Sequence, residues 1–169
     1  MPVDKTKLNS EYNKLLGRIK FRVFTALAMP TARFAGVKII QLDDISCAAT
    51  LPGGWRSQNP FKTMYWAVQG MGAELSTGAA PFAISKSMPE KIRMFVVGVE
   101  SKFTKAAKGK ITFTSNDNSI SRAAIEESMA SGKPVDCNLS AIGTNLSGEV
   151  VSEWVFKWNF LVIKKGIIK

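Results

Sequence analysis

The sequence predicts an α+β domain in which one antiparallel sheet wraps around a single long central helix, with an extra helix at the amino terminus. Three observations carry this expectation. Strand-like segments outnumber helical ones, and one helical stretch within residues 59–78 carries a face of small residues suited to lying against a sheet. A long alternating segment near the carboxyl terminus, with Trp154, Phe156, Trp158, Phe160 and Val162 on one side, supplies the sheet's apolar face.

The elements follow in order. Leu8, Tyr12, Leu15, Leu16, Ile19, Val23, Ala26 and Leu27 recur at helical spacing, with Lys14, Arg18 and Arg22 elsewhere, which predicts one amphipathic helix over residues 8–29 that ends before Pro30. A basic amphipathic helix can lie on a membrane, but packing against the protein is the favoured expectation here. From Gly36 the pattern becomes β. Residues 37–42 form one strand, Ile45, Cys47, Ala49 and Leu51 alternate along the next, Asp43-Asp44 makes the turn between them, and Pro52-Gly53-Gly54 ends the hairpin.

Asn59 and Pro60 suit the N-cap and first position of the central helix, since the carboxamide oxygen satisfies an orphan amide and proline has no N–H to lose. On that helix Ala67, Gly70, Met71, Glu74, Thr77 and Gly78 share a face almost free of bulk. Pro81 and Pro89 then bracket a loop before residues 92–99, apolar on both faces and so a central strand. Residues 111–114 make another strand after a turn at Gly109. A helix over 119–131 follows, capped by Asn118 or Ser119 and stopped by Gly132. Val135, Cys137, Leu139 and Ala141 alternate in the penultimate strand, and the aromatic segment is the last. Its aromatic face reads as core or as a subunit interface.

The chain of 169 residues is long enough for one domain with a real core, taken as residues 1–169. At 46% hydrophobic and 21% charged it is not disordered, and its apolar runs are broken by charges before they reach a membrane-spanning length, so no transmembrane segment is expected. Asp4, Glu11 and Asn13 interrupt the amino-terminal region, no signal peptide is evident, and a cytoplasmic location is the default. There is no histidine, which excludes Ser-His and Cys-His triads and the commonest zinc sets. Cys47 and Cys137 read as small core residues, and no metal or resident cofactor is expected. Carboxylate, tyrosine, lysine and backbone dipoles remain for any catalysis.

A net charge of +10 attracts anionic partners. The densest cluster, Lys102, Lys105, Lys108 and Lys110, lacks the interleaved aromatics of a base-stacking platform, so no specific nucleic-acid partner is expected and a solvated basic surface is the competing reading. Glu74 is the leading site candidate: an acid among small residues, where water is scarce, must be paired, hydrogen-bonded or used. Asn59 acting only as a cap, and Tyr65 and Trp66 acting only in packing, are the alternatives at those positions.

These residues resemble the hotdog-fold acyl-CoA thioesterase superfamily, in particular its phenylacetate-pathway-like thioesterases and their uncharacterised branches. Those proteins commonly carry Asn, then His-Gly-Gly beginning six residues later, then Asp or Glu fifteen residues after the Asn. Asn59 and Glu74 match the first and last positions, while Tyr65, Trp66 and Ala67 stand where His-Gly-Gly is usual. Residues 99–113, with Lys105-Ala-Ala-Lys-Gly-Lys before a strand, resemble the superfamily's third and fourth strands, and residues 149–163 its last. The resemblance spans about 36–165.

It implies a hotdog core and hydrolysis of an acyl thioester such as an acyl-CoA at a homodimer interface, with pairing of dimers into a tetramer left open. Glu74 would be base or nucleophile, with Asn59 beside it in the motif. N–H groups around Tyr65, Trp66 and Ala67 would hold the oxyanion, and Lys105, Lys108 and Lys110 would receive coenzyme A phosphates. A second implied reading is a non-catalytic hotdog protein that binds an acyl ligand after losing His-Gly-Gly.

Overall fold

The computed structural model of the protein describes residues 3–163. Its elements are α1 (Lys5–Leu16), α2 (Arg18–Ala28), α3 (Pro30–Ala35), β1 (Lys38–Leu42), β2 (Cys47–Leu51), α4 (Trp66–Ser87), β3 (Lys91–Phe103), β4 (Ile111–Ser115), α5 (Asn118–Ser131), β5 (Val135–Thr144) and β6 (Val150–Ile163). The six strands form one sheet in the order β1-β2-β4-β5-β6-β3, every neighbouring pair antiparallel. α4 lies against this sheet, as the sequence predicts.

Shape decides how closely α4 approaches. A Cβ on Gly72 would stand 2.5 Å from the Phe113 ring and 3.1 Å from Leu51, so β2 and β4 press onto the helix backbone there. A Cβ on Gly70 would meet Trp154 at 3.5 Å, and one on Gly78 would meet Trp158 at 3.1 Å. Gly70 and Gly78 are eight residues apart on a helix, about 12 Å, and their partners are four apart on a strand, about 14 Å. α4 therefore runs along β6, seating its glycines on successive indoles. The aromatic face of β6 is core: Trp154, Phe156, Trp158, Phe160 and Val162 are all buried, Trp154 stacks on Phe156 and Trp158 on Phe160. The indole N–H groups are satisfied as well, Trp158 donating to Thr77 Oγ1 (3.0 Å) and Trp154 to Ser152 Oγ (2.9 Å).

The central helix starts and ends later than its sequence signals suggest. Asn59 is not its N-cap: Asn59 Oδ1 accepts from the N–H groups of Phe61 (3.0 Å) and Thr63 (3.2 Å), closing a turn, and the cap is Tyr65. The same side-chain chemistry serves a turn as well as a cap. Pro81, read as the start of a loop, lies buried inside the helix, where packing outweighs the ladder bond that proline forfeits.

The amino-terminal segment is three helices rather than one. Gly17 ends α1 and begins α2, and a Cβ there would sit 3.0 Å from Asn13 O. The break rotates the buried face. Leu8, Tyr12 and Leu15 are buried as expected, but in α2 the buried residues are Phe21 and Thr25, while Ile19 (77%), Val23 (54%) and Leu27 (83%) are exposed. Residues 92–99, expected to be central, belong to β3 at the sheet's edge, pairing only with β6. Phe95, Val97, Val99 and Phe103 along it are all exposed, and a bulge between Val96 and Gly98 turns Val99 and Phe103 to the face that carries Phe156 and Trp154. The β1–β2 turn falls at Asp43 and Asp44 as expected, with Asp43 Oδ1 accepting from the N–H groups of Ile45 and Ser46 at 2.8 Å. The cap of α5 is Asp117, one residue before the expected pair, and its C-cap is Gly132.

Candidate functional site

Glu74 sits in the middle of α4, one turn from Gly70 and one turn from Gly78. Its carboxylate opens into a cavity of about 250 Å³ whose other walls are Leu15, Phe24, Met29, Leu75, Gly78, Ala79, Phe82, Met94 and Trp158. Glu74 is the only ionisable group on that lining. No side chain among the described residues pairs with it by salt bridge. Burial accordingly pushes its pKa above the ordinary carboxylate value, since a charge in an apolar cavity loses hydration without compensation. The bare backbone of Gly78 leaves room for the arrangement: its Cβ would come within 3.8 Å of Glu74 Oε1 and 3.1 Å of the Trp158 ring.

The other motif residues gather elsewhere. Asn59, Trp66 and Lys105 line a separate cavity of about 390 Å³ at the start of α4, together with Thr63, Met64, Gln69 and residues 103–107. Two bonds build it: Met64 N–H donates to Ala107 O (2.8 Å), and Tyr65 N–H donates to Ser57 O (2.7 Å). Trp66 and Ala67 are the first two residues of the helix, so their N–H groups have no acceptor within it and lie at the positive end of its dipole. The N–H of Tyr65 is already committed to Ser57. The Trp66 side chain is exposed and packs edge-on to Tyr65, ring centroids 5.8 Å apart.

Lys105 pairs with Glu149 on the surface, a bond that lowers the Glu149 pKa, and Lys108 and Lys110 are exposed on either side of the turn at Gly109. Eight residues separate Trp66 from Glu74, about 12 Å along the helix axis. One chain thus keeps its acid and its helix-start amides apart.

Sequence reasoning missed Gln69, which is 4% exposed in the cavity at the helix start, donates through Nε2 to Met64 O (3.2 Å), and leaves Oε1 without a partner. A glutamine one turn into an apolar helix was the available signal. It also missed Phe24, Phe82 and Met94 beside Glu74. Cys47 is fully buried with its thiol pushed up to about 12 by burial, and Cys137 is half-buried with its thiol pushed up to about 11, again chiefly by burial. Glu100 and Glu153 are exposed on their strands. Among the described residues no group of His, Cys, Asp and Glu is placed to hold a metal, and no helix is long and apolar enough to cross a membrane.

A family profile described as a domain of unknown function, DUF4442, matches residues 17–160. The chain belongs to the DUF4442 family. Among solved structures, this DUF4442 protein is similar to a Pseudomonas aeruginosa protein of unknown function called "Probable Thioesterase", at 21% identity over 84% of this chain and 93% of that one, TM-score 0.70. It is similar to a Chlorobaculum tepidum protein of unknown function at 14% identity, over 85% and 93% of the two chains, TM-score 0.71. It is also similar to a thioesterase from Haemophilus influenzae at 12% identity, over 86% and 92%, TM-score 0.62. No curated protein matches the chain. The DUF4442 chain therefore shares the hotdog fold of these structures, with helices at its amino terminus.

The unpaired burial of Glu74 has a consequence for stability. A carboxyl with a raised folded-state pKa binds its proton more tightly folded than unfolded, so the folded state loses stability as pH rises from the unfolded value through the folded one. Glu74→Gln removes that loss. Denaturant titrations at a series of pH values should show the variant gaining on the wild type between acidic and neutral pH, with the two converging at the acid end.

Proposed function

We propose that the protein is a thioesterase of the hotdog type, acting in the cytoplasm on an acyl-CoA or related acyl thioester as a homodimer. The observation that carries this reading is Glu74: an unpaired carboxylate in an otherwise apolar cavity is costly to stability, and a working base is what such a position supplies. Ionised, it removes a proton from water as the oxygen attacks the thioester carbonyl; when the tetrahedral intermediate collapses the C–S bond breaks, the thiolate leaves with that proton, and Glu74 is ionised again. The developing oxyanion needs donors, and the free N–H groups at Trp66 and Ala67, aligned with the α4 dipole, are of the right kind. Asn59, bonded into the turn before the helix, holds that start in place. Lys105 lines the cavity at the helix start, and Lys105, Lys108 and Lys110, all exposed, suit the phosphates of coenzyme A.

The 12 Å between acid and amides, roughly eight helical residues, is bridged if two chains pair with their α4 helices side by side and opposed, so that Glu74 of one faces the helix start of the other. β3 supports pairing: it is 13 residues long, has one free edge, and exposes Phe95, Val97, Val99 and Phe103 along its length. A long apolar edge is covered in a stable protein. Light scattering at micromolar concentration should report a dimer or a pair of dimers, and a monodisperse monomer would contradict this arrangement.

Tyr65-Trp66-Ala67 in place of His-Gly-Gly favours a second reading, in which the protein binds an acyl thioester without turning it over, because the Trp66 indole stands at the helix start where a carbonyl has to approach. A hydrolysis panel of acyl-CoA substrates separates the two. A thioesterase should lose roughly 100-fold in kcat on Glu74→Gln, which keeps shape and removes basicity. A binding protein should show no turnover and equal affinity in both forms.

A further inference from the structure

The cavity at Glu74 shares part of its wall with a second cavity. Leu15, Phe24 and Phe82 line it, and the same three side chains line a cavity of about 750 Å³ between α1, α2 and the last turns of α4, with the rings of Phe24 and Phe82 packed 5.5 Å apart between the two. Ile19, Val23 and Ala28 complete the apolar wall of this outer groove. Its ionisable lining residues are Glu11, Lys14, Lys20 and Lys86. Lys14 is bonded to Glu11 at 2.5 Å, and Lys86 Nζ lies 5.3 Å from the centre of the Phe82 ring, so both ammonium groups have partners, while long lysine stems are free to extend the apolar wall. The groove also explains why Ile19 and Val23 face outward on an otherwise ordinary amphipathic helix. α1 lies outside the segment that the family profile matches.

We infer that α1 and α2 wall a channel for an unbranched aliphatic acyl chain, which runs from the thioester at Glu74, past Leu15 and the packed Phe24–Phe82 pair, into the groove beside Ile19 and Val23. The inference rests on the thioester reading of Glu74 and adds the substrate class. An aliphatic chain is the occupant these walls fit: apart from Glu74 the inner cavity is lined by apolar residues, and the side chains it shares with the groove, Leu15, Phe24 and Phe82, are apolar as well. Each methylene that enters should tighten binding by roughly threefold to fourfold, the return expected for one buried CH₂.

The test is calorimetric titration with non-hydrolysable S-alkyl-CoA thioethers carrying ethyl, octyl and dodecyl chains, with dodecanoate alongside as a ligand that lacks coenzyme A. Ile19→Asp and Val23→Asp place a charge in the groove at exposed positions where folding is not at stake, and Leu146→Asp is a control at an exposed position outside it. The channel predicts affinity rising steeply from ethyl to dodecyl, a loss of roughly tenfold or more for the dodecyl ligand in either groove variant, and no change for the ethyl ligand or for Leu146→Asp. Thioethers that bind with an affinity independent of chain length would overturn the channel and leave the thioester reading standing. If dodecanoate binds and weakens in Ile19→Asp while no thioether binds, the channel stands and the thioester reading falls. Lengthwise gain that is insensitive to both groove variants places the chain elsewhere and overturns the channel.

Discussion

The close seating of α4 on the sheet is the constraint from which the rest follows. Gly72 admits Phe113 and Leu51, Gly70 admits Trp154, and Gly78 admits Trp158. A helix held this near a sheet leaves little room for any side chain on its inner face, which is why that face is built of Gly, Ala, Ser and Thr. Glu74 is the exception. It lies between two of the glycines, where the Trp158 indole of β6 and the side chains of α1, α2 and β3 close around it. An extra methyl at Gly78 would reach Trp158 and approach the carboxylate, so the packing solution and the chemistry of the site are one arrangement.

The proposed site's two halves lie on one helix, the amides at its start and the acid in its middle. The amide end is created by the turn that Asn59 closes and by the pairing of Met64 with Ala107, which together deliver the chain to Tyr65 with two free N–H groups beyond it. The acid end is created by packing. Since a rigid helix fixes the spacing between them, the proposed site is complete only where two chains pair, and the exposed edge strand β3 and the catalytic geometry are two aspects of that one proposal.

Much of the fold was legible because the β pattern is strong. The alternation along β6, the hairpin at Asp43-Asp44 and the stop at Gly132 are local signals with local causes. What was not legible is what tertiary packing decides. Asn59-Pro60 carries the chemistry of a helix cap and closes a turn instead; Pro81 carries the chemistry of a helix stop and is overruled by complete burial. Residues 92–99 look central because they are apolar on both faces, yet they lie on the edge strand with Phe95, Val97 and Val99 exposed. Of the site, Glu74 stood out by its contrast with small neighbours. Its walls did not, because Phe24 became one only when Gly17 broke the amino-terminal helix and turned α2 on its axis.

The most direct test of Glu74 as the working base is the pH dependence of kcat/KM on an acyl-CoA, which reports ionisation in the free protein. The base acts only when ionised, and burial in the apolar cavity raises its pKa, so the rate should climb with pH through a midpoint above the ordinary carboxylate value of about 4.3. That limb should vanish in Glu74→Gln. A rate already level above the ordinary carboxylate value, or a rising limb that survives the substitution, would show that another group does the chemistry.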